Sequence, residues 1–418
     1  MNKNIFFRLD WLSIMLYLLL VSFGLVNIYS SGFSNTTILF WDPDYLVGKQ
    51  FWIFIACLII LPLILAVKSN FFEHLTYIFY GISIFSLLGL FIFGETISGA
   101  TSWYSLGSFS LQPSEFAKIT TAMVVALNLG SFQNDLKKNT HLLKIILLVS
   151  LPMLLIILQP DAGSALVFMG IFFVLIREGL NLKFLFLAMG LILIFILTLL
   201  FSPLNLSLVM GFIFFIIYNL IKKRYPKTKK NPFISTLIFG IVFSYSVSLI
   251  FNTVFEQRHR DRFNIILGLE TDSRGIGYNI NQSKIAIGSG GFSGKGFRNG
   301  SQTKGNFVPE QETDYIFSIV GEEWGFLGSV TLILLFVILI FRIIYKAERH
   351  SSAYARVFSY TFASMLFVHF FINIGMTLGL VPTVGIPLPF ISYGGSNLLA
   401  FSLMLFVYLN FDANRLDY

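Results

Sequence analysis

Apolar residues dominate long stretches of this chain, each about as long as a membrane helix needs and each separated from the next by a short polar or basic connection. The stretches lie near 11–31, 50–67, 72–94, 113–128, 143–159, 161–177, 183–201, 204–221, 233–255, 313–345, 357–381 and 390–410. They predict about twelve transmembrane helices. Pro62 and Pro152 fall inside two of them, which membrane helices tolerate and water-exposed helices do not. The first stretch follows Lys3 and Arg8. It is too long for a signal-peptide core and lacks a small-residue cleavage pattern, so it reads as a retained helix.

The polar connections set an orientation. Lys68, the group Lys137, Lys138 and Lys144, the pair Arg177 and Lys183, and the run from Lys222 to Lys230 all fall in alternate connections. Arg342, Lys346, Arg349, Arg356 and Arg415 continue the pattern. Placing them all in the cytoplasm satisfies the positive-inside rule and puts both termini there. The segments 32–49, 95–112, the Gln159-Pro160-Asp161 corner, a long loop over 256–312 and the stretch 382–389 are then outside. The predicted fold class is an all-α polytopic integral membrane protein with one long extracytoplasmic loop.

Composition agrees with lipid as the main solvent: 56% of the 418 residues are hydrophobic and 12% are charged. That leaves no room for a second, soluble domain, so one membrane domain over 1–418 is expected. The net charge of +8 resides mostly between apolar runs, where it serves as a topology signal, and nucleic acid is not an expected partner. Cys57 is the single cysteine, which excludes an intramolecular disulfide and a cysteine-based metal site.

Polar chemistry gathers between Gln257 and Glu323. Arg258, Arg260, Arg262, Arg274, Lys284, Lys295, Arg298 and Lys304 outnumber Asp261, Glu270 and Asp272, a balance suited to an anionic headgroup or diphosphate. The run Gly288 to Gly296 superficially resembles a phosphate loop, but Ser289 and Gly296 occupy positions where that motif needs glycine and Ser/Thr. It is read either as tight turns or as backbone shaped to approach a ligand. Asp314 stands where the external loop becomes a helix, beside Tyr315, Ile316 and Phe317, as either a helix cap or a reactive carboxylate. Glu322 and Glu323 lie two turns deeper, where at least one needs a cation or a polar cavity.

Elsewhere, Glu115 and Lys118 share a helical face and can pair, for structure or for function. Asp161 follows Pro160 at a corner where it can start a helix. The run Val381 to Ser396 holds Pro382, Pro387, Pro389, Gly385, Gly394 and Gly395, so no regular helix passes through it. Irregular backbone at membrane depth must be buried in protein or line a cavity, which marks a substrate groove.

These blocks together resemble the SEDS family of bacterial cell-wall polymerases. The resemblance rests on Gln112-Pro113-Ser114-Glu115 with Lys118, Gln159-Pro160-Asp161, Gly277-Tyr278, the block Gln282 to Gly291 with Gly294-Lys295-Gly296, Pro309-Glu310 with Thr313 to Phe317, Glu322-Glu323, and Asn373-Ile374-Gly375-Met376 through Ser392-Tyr393-Gly394-Gly395-Ser396. The Gln282 to Gly291 block and Gly300 to Thr303 look like the elongation branch more than the division branch.

The resemblance implies a peptidoglycan glycosyltransferase that polymerises lipid II, the undecaprenyl-diphosphate-linked disaccharide peptide, at the outer face of the bacterial plasma membrane. Asp314 stands at the position of the essential aspartate and is the candidate general base. Arg260, Arg262, Lys284 and Lys295 are candidates for the diphosphate, the two lysines foremost because they lie in matched motifs. Ser392, Gly394 and Gly395 are candidates for the groove. The implied partners are a class B penicillin-binding protein transpeptidase, elongation-complex proteins and membrane lipids. A divalent cation, Mg or Mn, is a further candidate for diphosphate charge, and no ligand cluster marks its place.

Three departures stand out. Ser102-Trp103 replaces the usual Arg-Trp, Glu312 stands where histidine is usual and adds negative charge near Asp314, and about twelve spans replace the usual ten. An extra helix pair within 183–230, with its basic cytoplasmic loop, accounts for the last and preserves orientation because it is even. Two rival functions fit a polytopic chain with buried polar residues: a flippase for a lipid-linked wall precursor, and a non-catalytic scaffold of the wall-synthesis complex.

Overall fold

The structure, a computed structural model, describes residues 8–32, 39–97, 99–107, 109–130, 139–225, 230–253, 255, 257–269 and 275–415. Lys3, Lys137, Lys138, Lys227, Lys229, Glu270, Asp272 and Arg274 lie outside them, as does the side chain of Arg258. The chain forms two compact units, one of Met1–Gly179 with Asn279–Tyr418 and one of Leu180–Tyr278.

The first unit begins with α1 (Trp11–Ser31), α2 (Leu46–Ala66), the short α3 (Ser69–His74) and α4 (Thr76–Phe93). A small antiparallel sheet follows, with β1 (Glu95–Ile97), β2 (Ala100–Leu106) and β3 (Phe109–Leu111) in sequence order. Glu95 pairs with Trp103, and Tyr104 with Leu111. The helices resume with α5 (Pro113–Gly130), α6 (Asn139–Ile157), α7 (Ala162–Val167) and α8 (Ile171–Arg177), the last two joined by one 3-10 turn.

The second unit holds α9 (Lys183–Leu200), α10 (Pro203–Arg224), α11 (Asn231–Thr253) and α12 (Gln257–Ile266). Its long helices are apolar on nearly every side, and only 6% of α9 is buried, as expected where lipid is the solvent. Inside the unit, the Thr198 hydroxyl donates to Ser244 Oγ at 2.9 Å, a bond between α9 and α11.

Helix α13 (Ile276–Ser289) returns the chain to the first unit, followed by α14 (Ser301–Lys304), α15 (Ile316–Glu323), α16 (Gly325–Ala347), α17 (Ala353–Thr377) and α18 (Gly395–Ala413). The stretch 256–312, expected as one loop, therefore carries α12, α13 and α14. Likewise, the expected span over 313–345 is broken at Trp324 into α15 and α16.

Ten of the described helices are long and apolar enough to cross a membrane: α1, α2, α4, α6, α9, α10, α11, α16, α17 and α18. The difference from the expected twelve lies in α5 and in the α7–α8 segment. Helix α5 buries Glu115, Lys118, Thr121 and Asn128, which dilutes its apolar character, and Ala162–Arg177 is shorter and broken.

Helices α17 and α18 are the centre of the first unit, with 78% and 89% of their apolar windows buried. Helix α1 runs against α16. The Ser30 hydroxyl donates to Glu323 Oε1 at 2.5 Å at one end, and the Arg342 guanidinium donates to Asp10 at 2.9 Å at the other. Near the Asp10 end, Lys346 pairs with Asp412 of α18 at 2.8 Å. The irregular backbone over 381–394 lies at the Ser30 end, where a Cβ on Gly24 of α1 would fall 2.6 Å from the Ile391 carbonyl oxygen. It is there that the conspicuous polar residues converge.

Candidate active site

The backbone over 381–394 cannot satisfy itself, because Pro382, Pro387 and Pro389 contribute no N–H and no helix forms. Side chains from surrounding elements hold it instead. Gln50 of α2 donates to the Ser392 carbonyl at 3.2 Å and accepts from Gly394 N–H at 3.2 Å. Ser392 Oγ accepts from Leu388 N–H at 2.8 Å. The Asn373 amide on α17 donates to the Ile386 carbonyl at 2.8 Å and to the Asp314 carbonyl at 2.9 Å. Tyr393 N–H donates to the Glu312 carbonyl at 2.8 Å. The segment carrying Asp314 is thus bound to the irregular segment at two backbone positions.

Asp314 is half-buried. Its Oδ2 faces Gly385, where a Cβ would stand only 3.3 Å away, and Gly385 itself has φ of 72°, a conformation that suits glycine. Helix α15 is entered at Tyr315, which makes no side-chain cap, so Asp314 does not occupy the cap position.

Beneath the same segment lie the residues of the Gln-Pro-Ser-Glu and Gln-Pro-Asp blocks. Gln112 Nε2 donates to Asp161 Oδ2 at 3.0 Å, while Asp161 Oδ1 caps α7 by accepting from Ser164 N–H at 3.0 Å. The start of α7 packs on the irregular backbone so closely that a Cβ on Gly163 would lie 2.5 Å from the Val384 carbonyl oxygen. Lys118 and Glu115 do pair, at 2.6 Å, with both side chains 1% exposed. Lys118 Nζ also donates to His369 Nε2 at 2.9 Å, and Glu115 Oε2 accepts from Asn397 Nδ2 at 2.9 Å. The remaining ring nitrogen, His369 Nδ1, lies 3.0 Å from the Pro387 carbonyl oxygen.

The candidate cations divide. Lys284 is exposed on α13, where its Nζ would meet a Cβ on Gly379, and it makes no ion pair among the described residues. Its neighbour Ser283 donates to the Thr377 carbonyl at 2.9 Å, which fastens α13 to the end of α17. Lys295 pairs with buried Glu322 at 2.7 Å. Arg260 and Arg262 belong to α12 of the second unit, where Arg260 donates to the Asn252 carbonyl at 3.2 Å.

Glu322 receives five further contacts or near contacts around its two oxygens, among them Gln302 N–H at 2.9 Å, Thr303 N–H at 2.8 Å and the Thr303 hydroxyl at 2.7 Å. Burial works to raise its pKa. The Lys295 ammonium and the Gln302 and Thr303 donors outweigh it and bring the carboxyl down to about 2. Burial raises Glu323 above its ordinary range, against the lowering contacts of Ser30 and the Arg298 N–H.

The glycine-rich run packs on this same carboxylate pair. A Cβ on Gly294, at φ of 79°, would lie 2.1 Å from the Glu323 carbonyl oxygen, and Lys295 N–H and Gly296 N–H donate to the Glu322 and Glu323 carbonyls at 3.0 Å. The close approach that these glycines permit is to protein backbone. Ser102, in place of the expected arginine, is buried in β2, and its hydroxyl has no partner among the described residues.

Gln50 and His369 stand outside the sequence motifs, and Asn373 opens one of them without a role that its sequence position reveals. A histidine inside the apolar run 357–381 was the available signal, because an ionisable group at that depth needs a partner.

The family model for FtsW/RodA/SpoVE, described as cell cycle protein, matches residues 10–215 and 186–416. The peptidoglycan glycosyltransferase RodA of Treponema pallidum (strain Nichols) is 32% identical, over 97% of this chain and 98% of its own length. The peptidoglycan glycosyltransferase MrdB of Escherichia coli (strain K12) is 34% identical, over 82% of this chain and 79% of its own. Among solved structures, a chain from work on the structural coordination of polymerization and crosslinking by a peptidoglycan synthase complex has a TM-score of 0.70 at 25% identity, covering 97% of this chain and 98% of that one. Thermus thermophilus rod shape determining protein RodA gives 0.62 at 23%, covering 97% of each chain, a likeness of fold.

The chain belongs to the FtsW/RodA/SpoVE family, the SEDS family that its motifs resemble. It is a multi-pass membrane protein, and proteins named RodA, MrdB and FtsW are among its relatives.

Proposed function

We propose that Asp314 is the general base with which this RodA-like peptidoglycan glycosyltransferase polymerises lipid II into glycan strands for cell elongation and rod shape. The observation that carries this reading is the approach of Asp314 Oδ2 to Gly385, in irregular backbone that Asn373 ties to the Asp314 carbonyl. A half-buried carboxylate fixed against a proline-rich groove can take a proton from a bound hydroxyl.

In the proposed reaction, the acceptor sugar hydroxyl attacks the anomeric carbon of the donor sugar. Its proton passes to Asp314, the new glycosidic C–O bond forms, and the bond from that carbon to the lipid diphosphate breaks. The diphosphate leaves with the electron pair. Such a leaving group needs charge stabilisation more than protonation, so one base with cationic support suffices where a glycosidase uses two carboxylates.

Lys284 is the foremost candidate for that support. Arg260 and Arg262 are further candidates, and Lys295 contributes through the turn that Glu322 holds. Ser392, Gly394 and Gly395 would shape the groove. No three His, Cys, Asp or Glu side chains gather as a metal site among the described residues. A divalent cation, Mg or Mn, is a further candidate for neutralising the diphosphate charge.

The site is proposed to open on the extracytoplasmic side, in agreement with the positive-inside pattern. Helix α5 and the α7–α8 segment are proposed to cross the bilayer with the ten candidate spans, making twelve. The extra pair is proposed to lie within 183–230, a reading supported by the overlap of the two family matches over 186–215. The expected partner is a class B penicillin-binding protein transpeptidase, in keeping with the crosslinking complex to which a similar structure belongs.

Purified wild type and Asp314→Ala, each with and without that partner, should be compared in polymerisation of lipid II. Wild type is expected to extend glycan strands and the variant to make none. Full polymerisation by Asp314→Ala would sink the assignment, and movement of labelled lipid II across vesicles without joining it would favour the flippase.

A further inference from the structure

We infer that His369 is a positioning residue for this reaction: it carries the fixed geometry of the buried Glu115–Lys118 pair to the backbone that faces Asp314. The inference rests on the reading of Asp314 as the base.

Two residues one turn apart on α17 reach consecutive carbonyls of the irregular segment. Asn373 holds Ile386 at 2.8 Å, and His369 Nδ1 holds Pro387 at 3.0 Å. These carbonyls immediately follow Gly385, the residue against which Asp314 Oδ2 lies. His369, Asn373 and Lys118 are all 0% exposed, so no bulk water can replace either contact. A buried carbonyl stripped of its donor has no water to replace it, which favours movement of a segment that has few hydrogen bonds of its own.

The roles of both ring nitrogens follow from donor chemistry. A lysine ammonium has only hydrogens to offer, so Nε2 must accept from Lys118 at 2.9 Å. The ring proton is then on Nδ1, where it donates to the Pro387 carbonyl. The imidazole is a neutral connector with both nitrogens in use. It has no free lone pair or proton for the substrate. Lys118 is in turn held by Glu115 at 2.6 Å, and Glu115 accepts from Asn397 in the first turn of α18. The ring also meets Phe401 edge-on, with centroids 4.8 Å apart. A core-filling histidine would need only this packing. The positioning role needs the two hydrogen bonds as well.

His369→Phe and His369→Gln separate the two. Phenylalanine retains an aromatic ring beside Phe401 and loses both polar contacts, whereas glutamine keeps one donor and one acceptor. In lipid II polymerisation by the purified protein with its transpeptidase partner, His369→Phe should lower kcat on the order of tenfold to a hundredfold with KM little changed. His369→Gln should restore most of the lost kcat. Wild-type kcat in His369→Phe, or a loss that appears in KM alone, would overturn the inference.

Should His369→Phe fail to elute as a folded monodisperse protein, His369→Gln decides. A kcat close to wild type supports the connector role, and a loss as large as that of Asn373→Ala overturns it. Asp314→Ala in the same assay keeps the two failures apart. If it polymerises, the base assignment fails; if it is inactive while His369→Phe runs at full rate, only the His369 inference fails.

Discussion

Gly385 and Glu322 show how single residues set the candidate site. Gly385 combines φ of 72° with a would-be Cβ 3.3 Å from Asp314 Oδ2, so Gly385→Ala adds left-handed backbone strain of about 1–2 kcal/mol and presses a methyl on the carboxylate. Glycan polymerisation by this variant should fall well below wild type while lipid II binding persists, as initial rates and labelled-lipid binding would report. Glu322, at the end of α15, holds Lys295, α14 and the glycine-rich turn. Its folded pKa, about 2, lies below the ordinary carboxylate value of 4.5. Its stabilisation is therefore fully present above about pH 5 and is lost as pH falls toward 2, on the order of 3 kcal/mol in all. Melting of the purified protein between pH 6 and 3 should show Tm falling with acid in wild type. Glu322→Gln should start lower and fall less steeply.

At the scale of elements, the apolar runs located the long helices because a span needs about 20 apolar residues whatever its tertiary neighbours are. Breaks that depend on distant backbone were not legible. The chain turns at Trp324 because Gly325, at φ of 63°, sits where a Cβ would come 2.2 Å from Gly294 N, and nothing near position 325 announces that contact. The sheet over 95–111 did leave a signal. Gly99 and Gly107, both at positive φ, bracket Ala100–Leu106, a run containing Thr101, Trp103 and Tyr104. Among candidate site residues, the Glu115–Lys118 pair was readable from helical spacing alone. The commitment of Lys295 to Glu322 was not, because the partner is 27 residues away along the chain. The run Val381 to Ser396 was legible as irregular from its prolines and glycines, while the donors that hold it, Gln50, Asn373 and His369, come from other helices.

For the whole molecule, orientation decides whether the groove can meet a substrate carried in the outer leaflet. The basic connections argue that Lys222, at the end of α10, and Arg349, between α16 and α17, are cytoplasmic, and that Lys304, at the end of α14, is external. All three side chains are exposed. Cys57 is buried, and Cys57→Ser provides a background without thiols in which each position can be replaced singly by cysteine. In intact cells, or spheroplasts where an outer envelope blocks the reagent, a membrane-impermeant maleimide should label Lys304→Cys. It should label Lys222→Cys and Arg349→Cys only after the membrane is opened. Because all three positions follow α9 or lie at the end of α10, the experiment also tests the proposed even insertion. An odd number of added crossings would reverse all three positions together, exposing Lys222→Cys and Arg349→Cys and shielding Lys304→Cys. Labelling of Lys304→Cys only in opened membranes would turn the groove toward the cytoplasm and remove the basis for polymerisation at the outer face.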